Sequence, residues 1–301
     1  MPNAPDMSGK TVLVTGANQG IGLETASALA RMGAGVTMTS RDPAKGEAAL
    51  AEVRSRSGSS DVELMLADFG SLDSTRKLAA DFQAKHDRLD VLVNNAGAIQ
   101  MSRSETADGF ETTFGVNHLG YFLLTNLLLD LLKASAPARI VNVASRAHLR
   151  APGMNFDDLN AKQKFSGMGA YAQSKLANVL FTYELARRLE GSGITANALH
   201  PGVVRTGFGK NNAGLIRVGF QAFQLIGRPW LLSPEQGAQT SIYLASSPEV
   251  EGVTGKYFAE GREEISSPAS YDAAAQHKLW EISEQMVGLR AAPSETTGYA
   301  I

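Results

Sequence analysis

From Lys10 onward, short runs of β-branched and aliphatic residues alternate with longer stretches of helical periodicity, and few folds accept that alternation. A strand that returns through a helix to a parallel neighbour forms a βαβ unit, and repeated units build a mostly parallel sheet with helices on both faces. The pattern therefore predicts an α/β fold of three layers around a doubly wound sheet of about seven strands. Those strands are expected over 11–14, 35–39, 62–66, 91–93, 139–143, 195–199 and 256–258. Helices are expected over 20–31, 43–55, 71–85, 110–132, 171–189, 234–245 and 271–287. The 301 residues fit one such domain, so a single unit over 1–301 is expected.

The turn after the first strand reads TGANQGIG and opens a helix, which is the place where a Rossmann-type fold holds a dinucleotide. Gly16, Gly20 and Gly22 permit a tight turn and a close backbone approach, and their GxxxGxG spacing differs from GxGxxG. With Asn18, Gln19 and Ile21 they would present unpaired helix N–H groups to a pyrophosphate. After the second strand, where an acidic residue would bond a ribose 2′-OH, the chain reads Thr39-Ser40-Arg41-Asp42. Arg41 suits a 2′-phosphate, so NADP(H) is expected, with Asp42 leaving NAD(H) as the alternative.

These motifs continue in a fixed order: NNAG at 94–97, YAQSK at 171–175 and HPG at 200–202. Together they resemble the short-chain dehydrogenase/reductase family from about Lys10 to Phe258. VNHLGYF at 116–122, IVNVASRAH at 140–148 and YAQSKLANVLFTYELARRL at 171–189 narrow the resemblance to the retinol dehydrogenase-like branch. The resemblance implies a catalytic set of Asn117, Ser145, Tyr171 and Lys175. It also implies that Asp68 contacts the adenine region, that Asn94, Asn95, Ala96 and Gly97 support the cofactor-side strand, and that Pro201, Gly202, Val204 and Thr206 lie near the nicotinamide. Tyr121 stands where that branch often has His, and Ala144 where it often has Ser.

Hydride transfer between a carbinol carbon and a nicotinamide is the cofactor's chemistry, which leaves the protein one proton to move. Tyr171 would move it, as a phenol whose ordinary pKa near 10 requires help at neutral pH. Lys175, one helical turn further on, can supply a stabilising charge and also bond a cofactor ribose. Ser145 would hydrogen-bond the substrate oxygen, and Asn117 would hold a water leading from Lys175 to solvent. Each residue alone also has a bland structural reading; their ordered combination behind a phosphate-binding turn points to alcohol/carbonyl oxidoreduction. The alternatives are a carbon–carbon double-bond reductase of the same family, or a non-catalytic NADP(H)-binding sensor or scaffold.

Composition narrows the partners. With 28 Lys plus Arg against 30 Asp plus Glu, the net charge of -2 gathers no nucleic acid. The chain has no cysteine, so thiolate chemistry and disulfides are excluded and a cytoplasmic setting is expected. His86, His118, His148, His200 and His277 are scattered without zinc spacing, so no metal is expected. The polar MPNAPDMSGK start carries no apolar anchor of the kind eukaryotic retinol dehydrogenases commonly have, and the apolar run over 121–132 is too short to span a bilayer. Segment 203–233 reads as a lid over a carbonyl or alcohol substrate, and its Phe220, Phe223, Leu225, Ile226 and Trp230 would form either an apolar substrate wall or packing against the body of the fold. The C-terminal helix and tail occupy about 270–301, and the resemblance implies a homo-oligomer, dimer or tetramer.

Overall fold

The computed structural model describes residues 5–204 and 231–290. Its centre is an eight-stranded sheet in the order β3-β2-β1-β4-β5-β6-β7-β8. The strands are β1 (Thr11–Val14), β2 (Gly35–Ser40), β3 (Val62–Leu66), β4 (Val91–Asn94), β5 (Ala138–Val143), β6 (Ile194–Leu199), β7 (Tyr257–Ala259) and β8 (Arg262–Glu264). β1 to β7 run parallel and pair as Val12 with Val36 and Val91, and Leu92 with Ile140. The seven expected strands are present to within one residue at each end. Helices cover both faces, and the architecture is the expected three-layer Rossmann type.

Side chains of a strand alternate between faces, and the central strands are buried on both. Val12 and Val14 of β1, with Val91, Val93, Val141 and Val143, pack under α1 (Gly20–Arg31), α2 (Pro43–Ser57) and, further along, Leu244. Leu13, Leu92, Ile140 and Ala196 point the other way, toward Phe82 of α3 (Leu72–Lys85) and Leu176 and Leu180 of the long Tyr171 helix. Continuous apolar runs at 11–14 and 91–93 are thus the sequence mark of strands between two helix layers.

Local signals set most boundaries. Asp42 caps α2 by accepting from Lys45 N at 3.1 Å, with Pro43 at the first helical position, and Ser71 caps α3. The expected unbroken helix over 110–132 is instead α4 (Thr112–Phe114), a π turn at Gly115–Leu119, α5 (Gly120–Leu127) and α6 (Leu129–Ala134). Periodicity cannot register the inserted residue of a π turn. Here Asn117 occupies it, its side chain bonded to both backbone groups of Ala98. The Tyr171 helix, α7 (Gly167–Arg188), starts four residues before the expected position because Ser166 caps it despite two glycines.

β8 was not expected. All three of its residues are exposed, so no alternation marks it. It returns antiparallel through the two-residue turn Glu260-Gly261, both at positive φ (49° and 71°), and such a turn suits a tight hairpin. α8 (Pro234–Ser246), opened by a Ser233–Gln236 capping box, packs on α1 and the central strands, and α9 (Ala273–Met286) packs on α7. Most of the expected lid, including its apolar group, and the tail beyond 290 lie outside the described residues.

Candidate active site

In a doubly wound sheet, the strand order reverses between β1 and β4, and a crevice opens beyond the carboxyl ends at that point. The β1 turn enters it. Gly16 has φ 63°, and a Cβ there would lie 2.8 Å from the Ala96 Cα. A Cβ on Gly22 would lie 2.6 Å from the Gly16 carbonyl oxygen. Only glycine lets the turn, α1 and the β4 exit approach this closely.

Asn95 locks that arrangement: its side-chain amide donates to Thr15 O at 2.8 Å and Gly16 O at 3.2 Å, and its backbone N–H donates to Thr15 Oγ1. Ala96 N donates to the same hydroxyl at 3.0 Å. Asn94, by contrast, points into the core, donating to Thr125 Oγ1 and Asn142 Oδ1. Asn95 falls within the expected NNAG support, whereas Thr15 carried no expectation, although its place in TGANQGIG was an available signal.

Nothing in α1 competes for its own amino end. Gln19 is extended without a side-chain cap bond, and the first turn carries no acidic residue. Asn18, Gln19, Gly20 and Ile21 rim this end, and the uncapped N–H groups with the glycine cradle fit a pyrophosphate. At the β2 end, Asp42 is committed to capping α2 and pairs with Lys45 at 3.0 Å, while Arg41 stands exposed beside it. Asp68, after β3, accepts from Gly70 N at 2.9 Å and so shapes the loop that follows β3. Gly97 is exposed at the β4 exit.

The structure brings three of the four expected catalytic residues into one group. Ser145 follows β5 and caps a 3-10 turn by accepting from Ala147 N at 3.2 Å. Its hydroxyl lies close enough to the Tyr171 phenol to oppose the rise that burial gives the phenol pKa. Lys175 lies one turn along α7, with Nζ 5.8 Å from the Tyr171 ring centroid and donating to Val143 O at 2.8 Å. Burial pushes the Tyr171 phenol up to about 12, against the opposing effect of Ser145, and brings Lys175 down to about 7. Both shifts have one cause: a dry site disfavours charge.

Asn117 stands beside this group with its side chain engaged. Besides the Ala98 contacts, its amide donates to Ser174 Oγ at 3.0 Å, which joins the π turn to α7. Tyr121 is a further residue that spacing alone did not assign: fully buried, its ring centroid lies 5.7 Å from Lys175 Nζ. On the last side, Gly202, at φ 81°, donates its N–H to His200 Nδ1 at 3.0 Å, between Pro201 and a bridge joining Val204 to Leu232. Thr206 lies outside the described residues.

A cavity of about 1030 Å³ opens at the opposite end of the sheet, bordered by Lys10, Asp90 and Arg139. It holds none of the Ser145, Tyr171 and Lys175 group and lies at the amino ends of the strands. Among the described residues, no helix is long and apolar enough to cross a membrane.

A family model described as short chain dehydrogenase matches residues 10–214. Retinol dehydrogenase 14 of Homo sapiens is 49% identical over 296 residues, covering 94% of this chain and 88% of that protein. Retinol dehydrogenase 13 of Homo sapiens is 48% identical over 293 residues, covering 96% and 88%. A solved structure from Mycobacterium paratuberculosis superposes with TM-score 0.75 at 36% identity, covering 95% of this chain and 96% of that one. The Pseudomonas aeruginosa RhlG/NADP active-site complex gives TM-score 0.68 at 26% identity, covering 89% and 100%. The chain belongs to the short-chain dehydrogenase/reductase family, in its retinol dehydrogenase-like branch, and is an oxidoreductase of alcohol and carbonyl groups that uses a nicotinamide cofactor.

Proposed function

We propose that this chain reduces an apolar aldehyde or ketone to its alcohol with NADPH, and runs the reverse oxidation with NADP, through Tyr171 as the proton donor and acceptor. One observation carries the reading: the Tyr171 phenol lies beside the Ser145 hydroxyl and is flanked by Lys175 at the carboxyl end of the sheet. When bound, the nicotinamide supplies or takes the hydride. Ser145 orients the substrate oxygen and stabilises charge developing there, while Tyr171 donates its proton to that oxygen. A phenol held near 12 is protonated at neutral pH, as a proton donor must be. Lys175 limits the cost of the transient phenolate by electrostatic attraction, and Asn117 ties the π turn to α7 behind it.

NADP(H) is favoured because Arg41 is exposed at the β2 end while Asp42 is spent on capping α2. The solved NADP complex of a relative supports the same choice. The names of the curated relatives support a retinoid-like apolar substrate. By the same family reading the enzyme is a homo-oligomer, and the absence of cysteine suits the cytoplasm. The test follows absorbance of NADPH and, separately, NADH against a panel of apolar aldehydes and ketones. NADPH consumption at tenfold or better efficiency over NADH is expected; NADH preference, or binding without turnover across the panel, would overturn the proposal.

A further inference from the structure

Of the five histidines scattered through the sequence, His148 is fully buried three residues beyond Ser145, and both of its ring nitrogens are engaged. Nδ1 lies 2.7 Å from the Ser145 carbonyl oxygen. Nε2 lies 3.0 Å from the backbone N of Ser267, which can only donate. Nε2 must therefore be bare and Nδ1 must carry the proton, so only the neutral Nδ1–H tautomer satisfies both contacts. The ring packs on Tyr257 with centroids 4.9 Å apart, and burial holds its pKa below the usual histidine range.

The segment that receives this histidine is itself anchored. Ser266 Oγ bonds Tyr183 Oη at 2.7 Å and Ser270 Oγ at 2.6 Å, and Gln276 of α9 donates to Ser270 O at 2.6 Å. Tyr183 belongs to α7, the helix that carries Tyr171. The contacts form a chain: the Ser145 carbonyl meets His148, and His148 leads through Ser267, Ser266 and Tyr183 to α7, which carries Tyr171.

We infer that His148 is a positioning residue for Ser145, fixing the serine backbone against the segment after β8 so that its hydroxyl stays aimed at the Tyr171 phenol. The inference rests on the proposed roles of Ser145 and Tyr171. Hydroxyl placement to well under 1 Å governs the rate of such a step, and a misplacement of that size can cost about 100-fold. A histidine serving the fold alone would act independently of Ser145.

A double-mutant cycle on the full chain separates the two. Single-turnover reduction of an aldehyde by bound NADPH is measured for wild type, His148→Leu, His148→Asn, Ser145→Ala and Ser145→Ala combined with His148→Leu, with NADPH affinity and thermal midpoint recorded beside each. His148→Leu is expected to slow the step about tenfold or more while NADPH affinity stays within about twofold. In the Ser145→Ala background the same change is expected to cost less than about twofold, because there is no hydroxyl left to place. His148→Asn, whose amide can still donate to the Ser145 carbonyl, is expected to recover most of the rate, and it serves if the leucine variant does not fold. Equal losses from His148→Leu in both backgrounds, or a wild-type rate in that variant, would overturn the inference. Unchanged turnover in Ser145→Ala would instead remove the role of Ser145 on which it rests.

Discussion

At the scale of single residues, Lys175 and Tyr171 pull in opposite directions for one reason, and pH exposes it. Lys175 falls from 10.5 to about 7 on folding, so between those values the unfolded chain binds a proton that the native chain does not. Stability of the cofactor-free protein therefore rises with pH across that window. Tyr171, raised from 10 to about 12, keeps its proton longer when folded, so its contribution to stability falls away only above pH 10 as pH climbs toward 12. Urea unfolding at pH 7 and pH 9.5 should show a gain of order 1–4 kcal/mol in wild type that is largely missing in Lys175→Met; an equal gain in both would contradict the burial account. Arg41 makes a separate prediction: Arg41→Ala should weaken NADPH at least about tenfold while leaving NADH nearly unchanged, measured by nicotinamide fluorescence. The catalytic residue types could be read from the chain because proton transfer admits few of them and α7 fixes the Tyr171–Lys175 spacing. The support that His148 gives could not: it reaches Ser267 across 119 positions, and no local pattern records such a pairing.

Among the elements, the β1 turn and the broken helix show what periodicity can and cannot carry. Gly16 and Gly22 were legible because the β1 turn tolerates nothing larger where backbone meets backbone. Gly22→Val would place carbon against the Gly16 carbonyl, and it should cost about 1–3 kcal/mol of stability and at least tenfold in NADPH affinity. Thermal unfolding and fluorescence titration check it; retained affinity would mean that the turn is not the pyrophosphate site. The π turn at Gly115–Leu119 escaped the reading because its cause is tertiary, in the grip of Asn117 on Ala98. β8 escaped because an exposed edge strand buries no face and so writes no alternation.

At the scale of the whole molecule, the topology places the site before any side chain is considered. The strand order turns at β1 and β4, so the residues following β1, β2, β4, β5 and β6 converge on one crevice although they are spread from Gly16 to Val204. The parallel order was legible because each strand is followed by a helix long enough to cross back. Oligomeric state is a property of surfaces, which the apolar pattern inside the fold does not specify. Light scattering over a range of concentrations should give a dimer or tetramer, and a mass of one chain throughout would sink that part of the proposal.

The central claim is that Tyr171 moves the proton. With NADPH and an aldehyde that wild type reduces, Tyr171→Phe should lose about 10²- to 10⁴-fold in kcat while binding NADPH as tightly as wild type by fluorescence titration. A phenylalanine variant that turns over within a few fold of wild type would contradict the account, whatever the rest of the crevice does.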